Sequence, residues 1–191
     1  MNLCLVTAFP PSREALNEYG FHIARQLQNA PEVNLTILGD DDMPEGAAEL
    51  DGFQVIRCWS FNDSKNPLRL LKAIRECQPD VVWFNIGFAS FGNRPLPAFL
   101  GLATPALSRL RGYSTHVTVH QLMETVDLKD AGVRFPLFYR AAGFAATQLL
   151  LCANSVAVLL PAYRTLIQER YKRGSVYVRA HGVLSGRPEY P

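Results

Sequence analysis

The stretch PLRLLKAIRECQPDVVWFNI, residues 67–86, decides the fold. Pro67 can open a helix, because its missing N–H would have had no partner in the first turn. Leu68, Leu71, Ile74 and Cys77 recur at helical spacing and give that helix one apolar side. Pro79 stops it. VVWFNI (81–86) is then continuously apolar and rich in β-branched and aromatic residues. That composition suits a strand buried on both faces. A helix handed through a proline turn to a fully buried strand is a building unit of a parallel α/β sheet.

The same pattern extends in both directions. NLCLVTAF (2–9) is a buried strand ended by Pro10 and Pro11, and Leu16 to Leu27 has helical spacing. VNLTILG (33–39) and FQVIRCWSF (53–61) read as strands two and three, separated by an acidic loop from Asp40 to Gly52. Gly87 to Pro97 is a loop, Ala98 to Leu110 a helix, THVTVHQL (115–122) a strand and METVDLKDAGVR (123–134) a polar excursion. Pro136 to Thr147 can be helical, and LLLCA (149–153) reads as the sixth strand. Ser155 is expected to cap a helix that runs to about Tyr171 and kinks at Pro161. VYVRA (176–180) is the seventh strand, and HGVLSGRPEYP resembles a linker. The expected fold is α/β: an open, mostly parallel Rossmann-like sheet with helices on both faces, in one domain over 1–182, with 183–191 as linker or tail.

Composition agrees. The chain has 191 residues, 48% hydrophobic and 19% charged, which excludes disorder for its bulk. The net charge is only +2, but the last third is basic, with Arg164, Arg170, Lys172, Arg173, Arg179 and Arg187. A solvated helix face explains that better than any specific partner, and nucleic acid is not expected. Cys4, Cys58, Cys77 and Cys152 are scattered, without C-x-x-C or a Cys/His cluster, so no zinc site is expected. Reduced thiols point to a cytoplasmic location. Ala141 to Tyr163 carries no charge and is long enough to cross a bilayer of about 30 Å. Its polar residues and Pro161 divide it instead into a helix end, a strand and a new helix.

The dinucleotide fingerprint, the P-loop and the nucleophile elbow are all absent from the sequence. Open α/β folds bind ligands at the carboxyl ends of their strands. The segments of interest are therefore those after Phe9, Ile86, His120 and Ala153, and the turn at His181 and Gly182. Of the four histidines, His120 alone is expected at the carboxyl end of a central strand, where an imidazole can exchange a proton near neutral pH. The alternative there is a strand-end histidine bonded to backbone. His22 reads as structural or exposed, and His116 as edge packing.

Five stretches together resemble the N-terminal domain of family 4 glycosyltransferases, which have the two-domain GT-B fold. LVTAFPPSRE with EYGFHIARQL is similar to the family's first strand, proline loop and first helix. LLKAIRECQPDVVWFN resembles its helix, Pro-Asp and strand unit. THVTVHQL resembles a strand ending in His-Asp, LLLCANSVAVLL a strand leading to a serine-capped helix, and VYVRAHGV the approach to the interdomain linker. The resemblance implies retaining transfer of a sugar from a nucleotide-sugar donor to a saccharide or lipid-linked acceptor, with no cofactor and no metal. It implies that a C-terminal donor-binding domain, in cis or in trans, completes the enzyme and that this chain alone is inactive. By position, His120 would be catalytic and face the transferred sugar. Pro11, Ser12, Arg13 and Glu14 would lie near the donor diphosphate. Asn85, Gly87 and Phe88, with Gln121 and Glu124, would line the acceptor side. Ser155, His181 and Gly182 would complete the cleft.

The sequence departs from the family at two places. Its first-loop Gly-Gly pair corresponds here to Glu14 and Ala15. Only glycine lets backbone approach a phosphate without a side chain in the way, and Glu14 adds repulsion that Arg13 offsets. Gln121 stands where aspartate is usual. A rival reading is a non-catalytic binding module on a Rossmann-like scaffold. Peripheral contact with the inner membrane face is a further expectation, at Phe88, Phe91, Leu96, Phe99 and Leu100 beside Arg94, against which stands simple packing of the following helix.

Overall fold

A computed structural model describes residues 1–122, 125 and 136–180. In chain order the elements are β1 (Asn2–Val6), α1 (Asn17–Gln28), β2 (Asn34–Asp40), β3 (Val55–Trp59), α2 (Asn66–Cys77), β4 (Val81–Ile86), α3 (Pro95–Leu102) and α4 (Thr104–Leu110). They continue with β5 (Ser114–Val119), α5 (Pro136–Leu151), β6 (Ser155–Val158), α6 (Pro161–Tyr171) and β7 (Tyr177–Val178). The seven strands form one parallel sheet in the order β3-β2-β1-β4-β5-β6-β7.

From β1 the chain steps outward to β2 and β3, then returns and steps the other way from β4 to β7. Right-handed crossovers therefore put the two sets of connections on opposite faces. On one face α1 packs Ala24, Phe21 and Ile23 over Leu5, Phe9 and Ile37. On the other, Leu70 and Ile74 of α2, Leu102 of α3, Leu150 of α5 and Ile167 of α6 cover Val6, Phe84, Val117 and Val156. Helices thus lie on both faces, unequally. The reversal of strand order between β1 and β4 makes a crevice at their carboxyl ends, the place where such sheets take ligands.

Three expectations need correction. LLLCA is not a strand: Leu149 to Leu151 end α5, and the sixth strand is Ser155–Val158. Apolar runs this short fit a buried strand and a buried helix end equally. Ser155 accordingly caps no helix. The last long helix starts at Pro161, a first-turn proline rather than a kink. The helix expected over Ala98 to Leu110 is two helices that meet at Ala103. Among the described residues no helix is long and apolar enough to cross a membrane.

The loop after β4 is anchored rather than exposed. Phe88 and Phe91 belong to the core, with Phe91 against Trp59 at a ring separation of 5.1 Å. The Oδ1 of Asn62 accepts the backbone amides of Asn93 and Arg94, each at 3.0 Å. Of the five apolar residues considered for a membrane contact, only Leu96 is exposed. Phe88 and Phe91 pack into the core, and Phe99 is partly buried against it.

Candidate functional site

The crevice is built from three strand ends and one loop. Thr7 follows β1, Asn85 lies near the end of β4, and His120 follows β5. These residues are 0%, 1% and 8% exposed, so their polar groups must bond one another. They do. Asn85 Nδ2 donates to Thr7 Oγ1 at 3.0 Å, and His120 Nε2 lies 2.6 Å from Asn85 Oδ1. The ring of Tyr19, in the first turn of α1, meets the His120 ring edge-on at a centroid distance of 4.7 Å. Burial raises the Tyr19 hydroxyl above its usual range.

Helix α1 comes this close because of Gly20. A Cβ there would lie 2.5 Å from the carbonyl oxygen of Ala8 and 2.7 Å from Thr7 Oγ1. At Gly87, beside the histidine, the approach is looser: a Cβ would make only ordinary contact, 3.9 Å from Leu16 and 4.0 Å from the Cβ of His120. Leu16, at φ 74°, turns the chain from the first loop into α1.

The first loop is held from outside. Arg57, on β3, donates from Nη1 to the carbonyls of Phe9 at 2.8 Å and Asp40 at 3.0 Å, and from Nη2 to that of Pro10 at 2.6 Å. Its other edge forms a two-bond pair with Glu49 at 2.7 and 2.8 Å. Asp40 is fully buried, and its Oδ1 accepts the amide of Phe9 at 3.2 Å. Burial raises the Asp40 carboxyl, against the opposing pull of the Ser12 hydroxyl, the Phe9 amide and Arg57. Glu14 is raised as well, by burial first and then by Asp40 and Asp42. The loop's inner wall is therefore acidic, with Arg57 as its buried counter-charge. Pro10 and Pro11 are joined by a cis peptide bond.

Several residues expected from sequence meet here. Pro11, Ser12, Arg13 and Glu14 form the loop, with Arg13 exposed and Ser12 buried. Ser12 Oγ accepts the Glu14 amide at 3.0 Å, so it shapes the loop. Asn85, Gly87 and His120 form the crevice floor, and Gln121 is exposed beside it. Phe88 does not line it, because its side chain is in the core. Ser155 also lies elsewhere. It begins β6, in register with His116 of β5, four residues before His120 and hence about 13 Å down the sheet. Its hydroxyl bonds His116 Nδ1. His116 is no edge residue either, since β5 runs between β4 and β6. Burial, then Arg179, lowers the His116 ring to about 4. Glu124, His181 and Gly182 lie outside the described residues.

Sequence reasoning missed Thr7, Arg57 and the buried role of Asp40. Arg57 alone left a signal, a cation inside an otherwise apolar strand. Among the described residues no group of three or more histidine, cysteine or acidic side chains is placed to hold a metal ion.

No family model matches the sequence, and neither does any curated protein. Solved structures are similar in fold. UGT2 from Phytolacca americana superposes with a TM-score of 0.58 at 11% identity, over 96% of this chain and 52% of that one. The glycotransferase of kitacinnamycin gives 0.54 at 18% identity, over 98% and 53%. Sucrose-phosphate synthase from Thermosynechococcus elongatus gives 0.51 at 13%, over 96% and 91%. The chain spans about half the length of the first two. The likeness is one of fold: a seven-stranded parallel, Rossmann-like α/β sheet that matches a GT-B half.

Proposed function

We propose that this chain is the acceptor-side half of a retaining, family 4-like glycosyltransferase, which moves a sugar from a nucleotide-sugar donor to a saccharide or lipid-linked acceptor. The observation that carries the reading is the buried His120, which follows β5 and reaches Asn85 of β4 beside the β1/β4 switch point and an arginine-pinned loop. In this reading His120 contacts the transferred sugar or the acceptor hydroxyl. Arg13 is the cation of the first loop nearest a donor diphosphate, and Gln121 lies on the acceptor side. The donor is gripped by a second domain, in cis or in trans, and the chain is inactive without it. Glu14 in the first loop supports that division, because a carboxylate there, already crowded by Asp40 and Asp42, would repel a diphosphate rather than grip it. No metal ion is assigned a role, and the cytoplasm is the assigned compartment.

The test is transfer from UDP-, GDP- and ADP-linked sugars, with the chain alone and with its donor-binding half present. Product is expected only with both halves, and with the donor's anomeric configuration kept. Transfer by the chain alone, or an inverted product, would overturn the proposal.

A further inference from the structure

Spacing puts Leu68 on the apolar side of α2, yet it is 70% exposed. It stands at the rim of a groove of about 520 Å³ between α2 and the end of α4. Leu68, Leu71, Lys72 and Arg75 of α2 line the groove, with Arg111 and Tyr113 after α4. The four α2 residues fall at i, i+3, i+4 and i+7, so one face of the helix carries them all. Tyr113 directly precedes β5 and His120 directly follows it. Six strand residues separate them, so the groove lies roughly 20 Å from the crevice, at the other edge of the sheet.

Three cations and no acid line this groove. Part of that charge is structural. Arg75 is in the last turn of α2 and Arg111 caps α4, where a helix end carries about half a negative charge. Two such ends offset about one of the three cations. Lys72 meets Glu76 at 3.9 Å, but both are exposed, and a surface pair of this kind holds its lysine weakly. Among the described residues, the side chains of Arg75 and Arg111 make no hydrogen bond or ion pair, and the Tyr113 hydroxyl makes no hydrogen bond. Other arginines are taken up by the fold: Arg109 bonds the carbonyl of Cys152, and Arg173 that of Ala153. The groove therefore holds a positive surplus and donors that the fold does not employ.

We propose that this groove binds a phosphate monoester carried on a small apolar or aromatic body. Such an ester has about −1.5 to −2 charge near pH 7 and three strong acceptor oxygens. Two guanidiniums and an ammonium match those three oxygens in charge-assisted bonds, roughly twice as strong as neutral ones. A carboxylate, with one charge and two oxygens, leaves a cation unmatched. Tyr113 adds a further donor, and Leu68 and Leu71 offer apolar surface to the body of the ester. The site is separate from the crevice, so the inference does not depend on the glycosyl-transfer reading.

The test is a titration of the ¹⁵N-labelled chain with phenyl phosphate at neutral pH, followed at the backbone amides by NMR. Saturable shifts are expected over Leu68 to Arg75 and Arg111 to Tyr113. Inorganic phosphate should shift the same amides but bind more weakly, because it brings no body for Leu68 and Leu71. The double variant Arg75→Gln, Arg111→Gln should bind phenyl phosphate about tenfold more weakly or worse, with its unfolding midpoint kept. Arg13→Gln, in the first loop, should bind it as wild type does. Vesicles of phosphatidylcholine with phosphatidic acid distinguish the two sources of such an ester. Cosedimentation that the double variant loses marks a lipid head group, and binding of phenyl phosphate without cosedimentation marks a soluble ester. The proposal is overturned by shifts that do not saturate at millimolar phenyl phosphate or that fall only in the crevice. An affinity no better than that of inorganic phosphate, or one unchanged in the double variant, overturns it equally.

Discussion

Replacing Arg57 with methionine keeps most of the aliphatic stem and deletes the guanidinium. The three carbonyls of Phe9, Pro10 and Asp40 lose their donor, and Glu49 loses both of its bonds. The larger loss is at Asp40, which is 0% exposed and has Arg57 Nη1 as its counter-charge at 3.9 Å. Deleting one member of a buried pair typically costs about 3–5 kcal/mol. Asp40 can limit that cost by taking up a proton. From an ordinary value of 3.8 this costs about 4.4 kcal/mol at pH 7, at about 1.36 kcal/mol per pH unit. Urea denaturation at pH 7 should therefore show a loss of about 3–5 kcal/mol. The loss should shrink as the pH is lowered toward 5, because protonation becomes cheaper. Adding Asp40→Asn removes the stranded charge, so the double variant should be more stable at pH 7 than Arg57→Met alone. A loss under about 1 kcal/mol, or one independent of pH, would refute the assignment of Arg57 as the buried counter-charge of the first loop.

Other outcomes are equally specific. Burial and Arg179 hold the folded His116 ring near 4, while an unfolded histidine takes its proton near 6.5. Stability is then full above pH 6.5 and falls by about 3 kcal/mol as the pH drops through that window to about 4. His116→Gln should flatten this part of the pH–stability curve, and an unchanged slope would count against the buried ring. Gly20→Ala drives a methyl against Ala8 and Thr7. Thermal unfolding should show a loss of about 1–3 kcal/mol or more, from α1 being pushed off the strand end. Cys152 is exposed, whereas burial lifts the Cys58 thiol to about 12 and raises Cys4 further. A thiol reagent at pH 8 should label Cys152 first, and faster labelling of Cys58 would contradict the packing of β3.

The strands were legible where burial on both faces left long apolar runs, as in NLCLVTAF and VVWFNI. Their ends were legible where proline or glycine punctuated them. The helix-to-strand exchange around LLLCA was not legible, because Leu149, Leu150 and Leu151 satisfy either period over so short a span. The better signal was Pro161, which marked the start of α6. Gly20 resembled any small helical residue until β1 was placed against it. His120 was legible as a strand end, and its partner Asn85 was legible only as another strand end. Their contact depends on β4 and β5 being neighbours, which no local pattern encodes. Arg57 bonds carbonyls 17 to 48 residues away, so its role depended wholly on tertiary placement.

The central claim is that the crevice floored by His120 is a sugar site. Its most direct test is His120→Ala in the protein that combines this chain with its donor-binding half. Nucleotide-sugar turnover is expected to fall by about 100-fold or more, in the range typical of a lost catalytic group. The unfolding midpoint of the variant should stay close to wild type. Wild-type turnover by a folded His120→Ala protein would contradict the claim.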